Sequence, residues 1–355
     1  MTAPATASDW RAAVDPVRLG TWMDGQGLEQ GEVSGFELLA GGTQNLIVRF
    51  RRGARSFVLR RPPVHPRPDG DKIMVREARV LKAIADSRVP HPRLIGACSD
   101  TSVLGATFYL MEPVDGFNPS GKPLPAPHAS RPEWQRRMGF AMVDALLALG
   151  EIDPEQVGLA DFGKPQNFLE RQVPRWRAHL ESYATLPGWP GPSSLVGIDE
   201  LGRRLEATRP EQFTPGLLHG DFHLANVMFA HDAPELAAVI DWELATLGDP
   251  LLDLGWLVTT WPDSSGRGTG TIHVTPWEGF PTAEELVDRY RAGTTRDVSR
   301  IDWYVALASY KLAVLLEASH ARACAGRAPR EIGERHHASA CLLVERGLAQ
   351  TRRGL

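Results

Sequence analysis

The run His219-Gly220-Asp221-Phe222-His223-Leu224-Ala225-Asn226, followed after a short connection and an apolar stretch by Ile240-Asp241-Trp242-Glu243, constrains this chain more than any other feature. Phosphoryl transfer needs a carboxylate that orients the attacking hydroxyl and accepts its proton, and oxygen ligands for a Mg²⁺ that bridges the phosphates. Asp221 fits the first role. Asn226, five residues on, and Asp241 fit the second, and their order is that of a catalytic loop followed by a metal-binding strand. His219 and His223 also form an H-x-x-x-H pair of the kind that holds Zn²⁺, but without an H-E-x-x-H the Asp-Asn-Asp set explains the segment better.

A chain of 355 residues, 43% hydrophobic and 23% charged, has enough apolar surface for one large domain or two ordinary lobes. The net charge of -4 and the lack of a Lys/Arg block argue against a nucleic-acid partner. Cys98, Cys324 and Cys341 form neither a C-x-x-C pair nor an even disulfide framework, and read as buried or incidental thiols in a reducing compartment. The N-terminal residues lack the apolar stretch of a signal peptide. The longest apolar stretch, Leu251 to Val258, is broken by Asp253 and is too short to span a bilayer. A cytoplasmic protein with no membrane partner is expected.

Alternating apolar residues predict short strands from Ser34 to Pro113, with Phe36 and Leu38, then Leu46, Val48 and Phe50, then Arg55 to Arg60, Arg93 to Cys98 and Thr107 to Glu112. One helix interrupts them, opening near Asp71 with Ile73, Val80 and Ile84 on its apolar stripe. After a Pro-rich stretch, Pro119 to Pro132, helical periodicity takes over, as in Ile301, Val305, Ala308, Leu312 and Leu315. The expected fold is α+β and two-lobed. Residues 1–113 would form an antiparallel, nucleotide-binding lobe with one helix, and 114–355 a mainly helical lobe with the catalytic loop and acceptor site, ligands binding in a cleft between them. Leu186 to Ser194 and Asp263 to Thr271, rich in Gly, Pro and Ser, read as surface loops or lids.

The H-G-D-x-x-x-x-N run with its I-D-W strand resembles the aminoglycoside phosphotransferase family of the protein-kinase-like superfamily. Asp241-Trp242-Glu243 leading to Leu247-Gly248-Asp249-Pro250-Leu251-Leu252-Asp253-Leu254, and the strand end Val58-Leu59-Arg60-Arg61-Pro62-Pro63, are similar to the branch whose kinase domains are fused to some acyl-CoA dehydrogenases. The resemblance spans Phe36 to Arg322. It implies transfer of the γ-phosphate of ATP or GTP, with Mg²⁺, to the hydroxyl of a small molecule, either aminoglycoside-like or a hydroxyacyl compound.

The same resemblance assigns further residues. His219 would hold the catalytic loop by hydrogen bonding. Gly41-Gly42-Thr43-Gln44-Asn45 occupies the turn after the first strand, where glycines let backbone N–H groups approach phosphate, although such a turn is also an ordinary hairpin. Glu77, on the apolar stripe of its helix, needs a cationic partner if buried. The family's Lys position falls on Arg60, which would hold phosphate or brace Glu77. Glu112, through its carbonyl, and Val114, through its amide, occupy the connection that reads adenine in the superfamily. Asp249 before Pro250 reads as a helix N-cap, and Asp253 as the tie between that helix and the loop. Trp256, Trp261 and Trp303 are candidates for core or for acceptor lining, and His223 for the acceptor side or for solvent. A nucleotide-binding regulatory module without turnover is the alternative reading. A protein kinase is disfavoured, because Glu243 to Asp249 leaves no room for a long activation segment.

Overall fold

The computed structural model describes residues 9–39, 45–63, 68–263, 265–268 and 272–353. The chain divides into two compact units, Met1–Asp115 with Ala237–Glu243, and Gly116–Leu236 with Leu244–Leu355. The fold is therefore α+β, but the first unit is not a single stretch: the seven-residue segment that carries Asp241 returns to it.

In the first unit, β1 (Val33–Leu38), β2 (Leu46–Arg52), β3 (Arg55–Arg61), β4 (Leu94–Cys98) and β5 (Phe108–Met111) form one antiparallel sheet in the order β1-β2-β3-β5-β4. Alternation gives each strand two faces. Leu46, Val48, Phe50, Phe57, Leu59, Phe108 and Leu110 turn one face into a core with Leu19 and Met23 of α1 (Pro16–Gly25). This helix was not expected, although the sequence marks its start: Asp15 accepts hydrogen bonds from Val17 N and Arg18 N, and Pro16 is the first helical residue. The opposite face carries Arg60 and Tyr109, which sit directly across the β3–β5 ladder and reach α2 (Gly70–Ala83). A short helix, α3 (Thr101–Leu104), precedes β5.

The second unit is built from α4 (Pro132–Gly150), α5 (Gln172–Glu181), α6 (Ile198–Ala207), α7 (Leu251–Thr260), α8 (Ala283–Gly293), α9 (Ile301–Cys324) and α10 (Arg330–Arg353). Its strands are short: β6 (Gly216–Leu218), β7 (Val227–Phe229) and β9 (Thr246–Gly248), with β8 (Leu236–Val239) beginning where the chain leaves the unit. β6 and β9 pair antiparallel. Every residue of α7 is buried, which accounts for its near-unbroken apolar sequence. On α9, Ile301, Val305 and Ala308 are buried as the periodicity predicts, but Leu312 and Leu315 are only half-buried, and Ala313, Val314, Leu316 and Glu317 lie deeper. Among the described residues no helix is long and apolar enough to cross a membrane.

Of the two Gly/Pro-rich segments, Leu186 to Ser194 is anchored: Trp189 is buried and donates to Glu317. In the other, Arg267 bridges His273, and part of the segment lies outside the described residues.

The crossing of α7 and α9 depends on Gly255, where a Cβ would lie 2.7 Å from the Tyr304 carbonyl carbon and 2.8 Å from its oxygen. These are backbone atoms of a buried helix and yield little. Gly255→Ala gains about 1 kcal/mol of helix propensity but forces two packed helices apart, at a cost of roughly 1–3 kcal/mol. The variant should therefore be destabilised, with its urea midpoint lowered; an unchanged or raised midpoint would show that the crossing is not tight.

Candidate functional site

In the second unit the loop His219–Asn226 begins at the end of β6, whose ladder with β9 pairs Leu218 with Thr246. Gly220 has φ +85°, and a Cβ there would approach the Leu244 carbonyl oxygen to 2.5 Å, so the turn after His219 admits only glycine. The turn is fixed from α7. Asp253, fully buried, accepts from His219 N at 2.6 Å and from Gly220 N at 2.9 Å, as the sequence suggested. Burial pushes the Asp253 carboxyl up, and His219 with the two amides pulls the other way. Lys311 of α9 donates to the Gly220 carbonyl at 2.9 Å, and its ammonium lies 4.2 Å from the centre of the Trp256 ring.

This frame delivers Asp221 with its carboxylate held on both oxygens. Trp256 Nε1 donates to Oδ1 at 2.9 Å, and His223 Nε2 lies 3.2 Å from the same oxygen. Asn226 Nδ2 donates to Oδ2 and to the Asp221 carbonyl, both at 2.9 Å. His223 Nδ1 accepts from Ala225 N at 3.2 Å, which leaves the ring proton on Nε2, facing Asp221. Asp221 N in turn donates to His219 Nδ1 at 3.3 Å. Burial alone would push the Asp221 carboxyl up, but the His223 hydrogen bond and the nearby charge of Lys311 hold it down at about 2, so it is ionised throughout the neutral range. With both Asn226 hydrogens turned to Asp221, its Oδ1 is the atom left for a cation.

In the first unit the opposed pair Arg60 and Tyr109 meets α2 at Glu77. Arg60 donates to Glu77 Oε1 and to Asp241 Oδ1, each at 2.8 Å, and Tyr109 Oη donates to Glu77 Oε2 at 3.0 Å. Arg60 thus joins two carboxylates rather than one. Asp241 has φ +67°, a left-handed backbone that Asp tolerates better than most residues. Glu77, Asp241 and Glu243 each place a carboxylate oxygen within 4.8 Å of the others, an all-oxygen set that suits a hard cation. Burial pushes the Glu77 carboxyl up to about 7 against the pull of Arg60, with Asp241 pushing in the same direction as burial.

The connection at the end of β5 uses Glu112 N to donate to the Arg93 carbonyl at 2.9 Å and Glu112 Oε1 to accept from Arg55 at 2.8 Å, while Val114 is half-buried. Gly41, Gly42, Thr43 and Gln44 lie outside the described residues, and Asn45 stands at the start of β2. Asp249 lies one residue before the N-cap of α7, which is Pro250, and accepts from Leu251 N at 3.1 Å, so the start of the helix is shifted by one residue from the expected Asp249 N-cap. Trp303 is a core residue that donates to the Leu205 carbonyl. Trp261 packs on Trp277 and, with Phe280 and Arg267, lines a cavity of about 610 Å³ in the second unit. Sequence reasoning did not assign Tyr109 or Lys311. A lone lysine in the middle of an apolar helix was the available sign for Lys311, and cross-strand register was needed for Tyr109.

Residues 35–304 match the family described as Phosphotransferase enzyme family, and the chain belongs to it. It is 31% identical over 292 residues to acyl-CoA dehydrogenase family member 10 of Mus musculus, a match that takes in 81% of this chain but 26% of that protein. The chain thus spans about a quarter of that relative's length. Among solved structures, a putative aminoglycoside phosphotransferase from Ralstonia eutropha JMP134 superposes with a TM-score of 0.75 at 26% identity, covering 94% of this chain and 98% of the other. A thermostable mutant of aminoglycoside phosphotransferase APH(4)-Ia, in ternary complex with ADP and hygromycin B, shares the fold at a TM-score of 0.56 and 17% identity, over 94% of this chain and 97% of that one.

Glu77 makes a pH-dependent contribution to stability. Its folded value, about 7, lies above the ordinary 4.5, so the folded state holds a proton that the unfolded state has lost. The contribution is fully present below pH 4.5 and declines as pH rises through 7. Arg60 stays charged across this range and adds no slope. Glu77→Gln should flatten the fall in stability between pH 4.5 and 7 in denaturant titrations; an unaltered slope would mean that Glu77 is ionised throughout.

Proposed function

We propose that this phosphotransferase moves the γ-phosphate of ATP or GTP to an alcohol of a small molecule, with Asp221 engaging the acceptor hydroxyl. The observation that carries this reading is the Asp221 carboxylate, fixed on both oxygens by Trp256, His223 and Asn226 and kept ionised. A carboxylate at about 2 is a weak base. Its contribution is to accept the hydroxyl's hydrogen bond, aim the oxygen lone pair, and take the proton once bonding to phosphorus has made the oxygen acidic, which suits a loose transition state.

Asn226, through Oδ1, and Asp241 are the proposed Mg²⁺ ligands. What supports this is that Asp241 belongs to an all-oxygen set and that Asn226 Oδ1 accepts no hydrogen bond among the described residues, donors of the kind that ion takes. Bound Mg²⁺ would neutralise charge on the transferring phosphates. Arg60 would place its guanidinium beside those phosphates while holding Glu77 and Asp241, and the Gly41–Asn45 turn, Glu112 carbonyl and Val114 amide would take the nucleotide. His219 positions the loop.

The acceptor is an aminoglycoside-like or a hydroxyacyl compound. The first class is supported by the neighbour that holds hygromycin B with ADP, the second by the acyl-CoA dehydrogenase family relative. The proposed setting is cytoplasmic.

The test is ADP release by the purified protein with ATP, Mg²⁺ and a panel of both classes of alcohol. Asp221→Ala should lower kcat by roughly 10²–10⁴-fold with nucleotide affinity kept. Full turnover by that variant on a genuine acceptor would remove Asp221 from the chemistry. Trp256→Phe keeps the ring but loses the N–H to Asp221, and should lower kcat roughly tenfold with KM little changed, equivalent to about 1.4 kcal/mol. A change in KM alone would place Trp256 in acceptor binding instead.

A further inference from the structure

The hairpin of α9 and α10 carries an E-x-x-H pair, Glu317 and His320, on its first helix and His337 on its second. Residues three apart share a helix face, and this spacing is one by which helical bundles offer a carboxylate and an imidazole to the same ion. One donor atom from each of the three side chains lies within 4.8 Å of the other two. Gly333 permits the close approach of the helices, since a Cβ there would lie 2.4 Å from Ala323 Cβ and 3.3 Å from His320 Cα.

The Glu317 side chain has no solvent exposure. His320 Nδ1 lies 2.8 Å from its Oε1 and His337 Nδ1 lies 2.7 Å from its Oε2, so each ring addresses a different oxygen of one carboxylate. Donors about 2.1 Å from a common ion and roughly 85° apart lie about 2.8 Å from each other. Both observed separations match that edge, and an ion held by Glu317 through both oxygens can take the two Nδ1 atoms as well. The histidine side chains are 15% and 26% exposed, which gives an ion a way in.

Charge favours an ion over a purely hydrogen-bonded cluster. A carboxylate out of water needs positive charge beside it. Neutral imidazoles bring none, and two imidazolium rings with centroids 4.3 Å apart would repel each other. One divalent cation supplies the charge and holds both rings. The surroundings are those of a ligand shell: buried Trp189 donates from Nε1 to Glu317 Oε1 at 2.7 Å, which fixes the carboxylate. Cys324 Sγ lies 3.5 Å from His320 Nε2, and Cys341 Sγ lies 3.7 Å from His337 Nε2. Because the helices run in opposite directions, the two sulfurs sit on opposite sides of the histidine pair and face the ring nitrogens turned away from Glu317.

We propose that Glu317, His320 and His337 form a two-histidine, one-carboxylate site for a divalent transition-metal cation of the zinc class, which clamps α9 to α10. Both rings bind through Nδ1. Each neutral ring then carries its proton on Nε2 instead of Nδ1, with no net proton released, and that N–H is aimed at a cysteine sulfur, a weak acceptor. Imidazole nitrogen selects such ions over Mg²⁺. The site does not rest on the proposed phosphoryl transfer.

The test uses the full chain, stripped with a chelator, kept in excess Mg²⁺ so that oxygen-only sites are filled, and titrated with Zn²⁺ against a chromophoric chelator and separately with Co²⁺. One equivalent of Zn²⁺ should bind and raise Tm. The Co²⁺ form should show ligand-field bands without an intense near-ultraviolet thiolate charge-transfer band, and the Cys324→Ser/Cys341→Ser variant should keep its equivalent. His337→Gln should lose both the equivalent and the rise in Tm. Trp189→Phe should weaken Zn²⁺ roughly 10–100-fold. Failure of the unaltered chain to bind one equivalent would overturn the site whether or not the variants fold; so would thiolate charge transfer in the Co²⁺ form, or an equivalent that survives His337→Gln.

Discussion

The buried carboxylate of Asp253 supports the candidate active site, because it accepts the two backbone N–H groups that turn the chain into Asp221. Without those bonds, two amides at the head of the loop would lose their acceptor inside the protein, at a cost of about 1–3 kcal/mol each. The cost of keeping Asp253 dry shows in its raised proton affinity, which His219 and the two amides oppose. Since α7 is buried on every side, Asp253 and Trp256 come from one rigid element, and through them the helix controls both the path of the loop and the direction of the Asp221 carboxylate.

The second polar focus, in the first unit, is built differently. Arg60, Tyr109 and Glu77 are brought together by the register of β3 against β5 and by the placement of α2 on that face. A slip of one residue would send Arg60 into the apolar core on the other face. Arg suits this place better than Lys would, because its planar donors reach Glu77 and Asp241 together and it cannot lose its proton when buried. Breaking such a buried pair costs about 3–5 kcal/mol, so the residue serves the fold before it serves any ligand.

What the sequence disclosed follows from locality. The strands of the first unit, the helix bearing Glu77 and the Asp221–Asn226 spacing rest on short-range patterns, and the structure has these elements where the patterns lie, whereas the tie from Asp253 reaches back 34 residues to His219. The seven residues around Asp241 were placed with the second lobe because chain order says nothing about which unit a returning segment joins. The helix Pro16–Gly25 has an Asp-Pro start but buries only Leu19 and Met23, too sparse an apolar stripe for periodicity to mark it. Trp256 and Lys311 needed tertiary distances: one is an apolar ring and the other a single polar group in a helix, and only packing shows what each faces.

The central claim is that the ionised Asp221 carboxylate receives the acceptor hydroxyl. The most direct measurement is a crystal structure of the protein with a non-hydrolysable nucleotide, Mg²⁺ and an acceptor identified by turnover. The account predicts the reacting hydroxyl oxygen about 2.6–3.2 Å from a carboxylate oxygen of Asp221, with Trp256 and Asn226 still donating to that carboxylate. An acceptor whose phosphorylated oxygen lies beyond hydrogen-bond reach of Asp221, with another base at that oxygen, would contradict it.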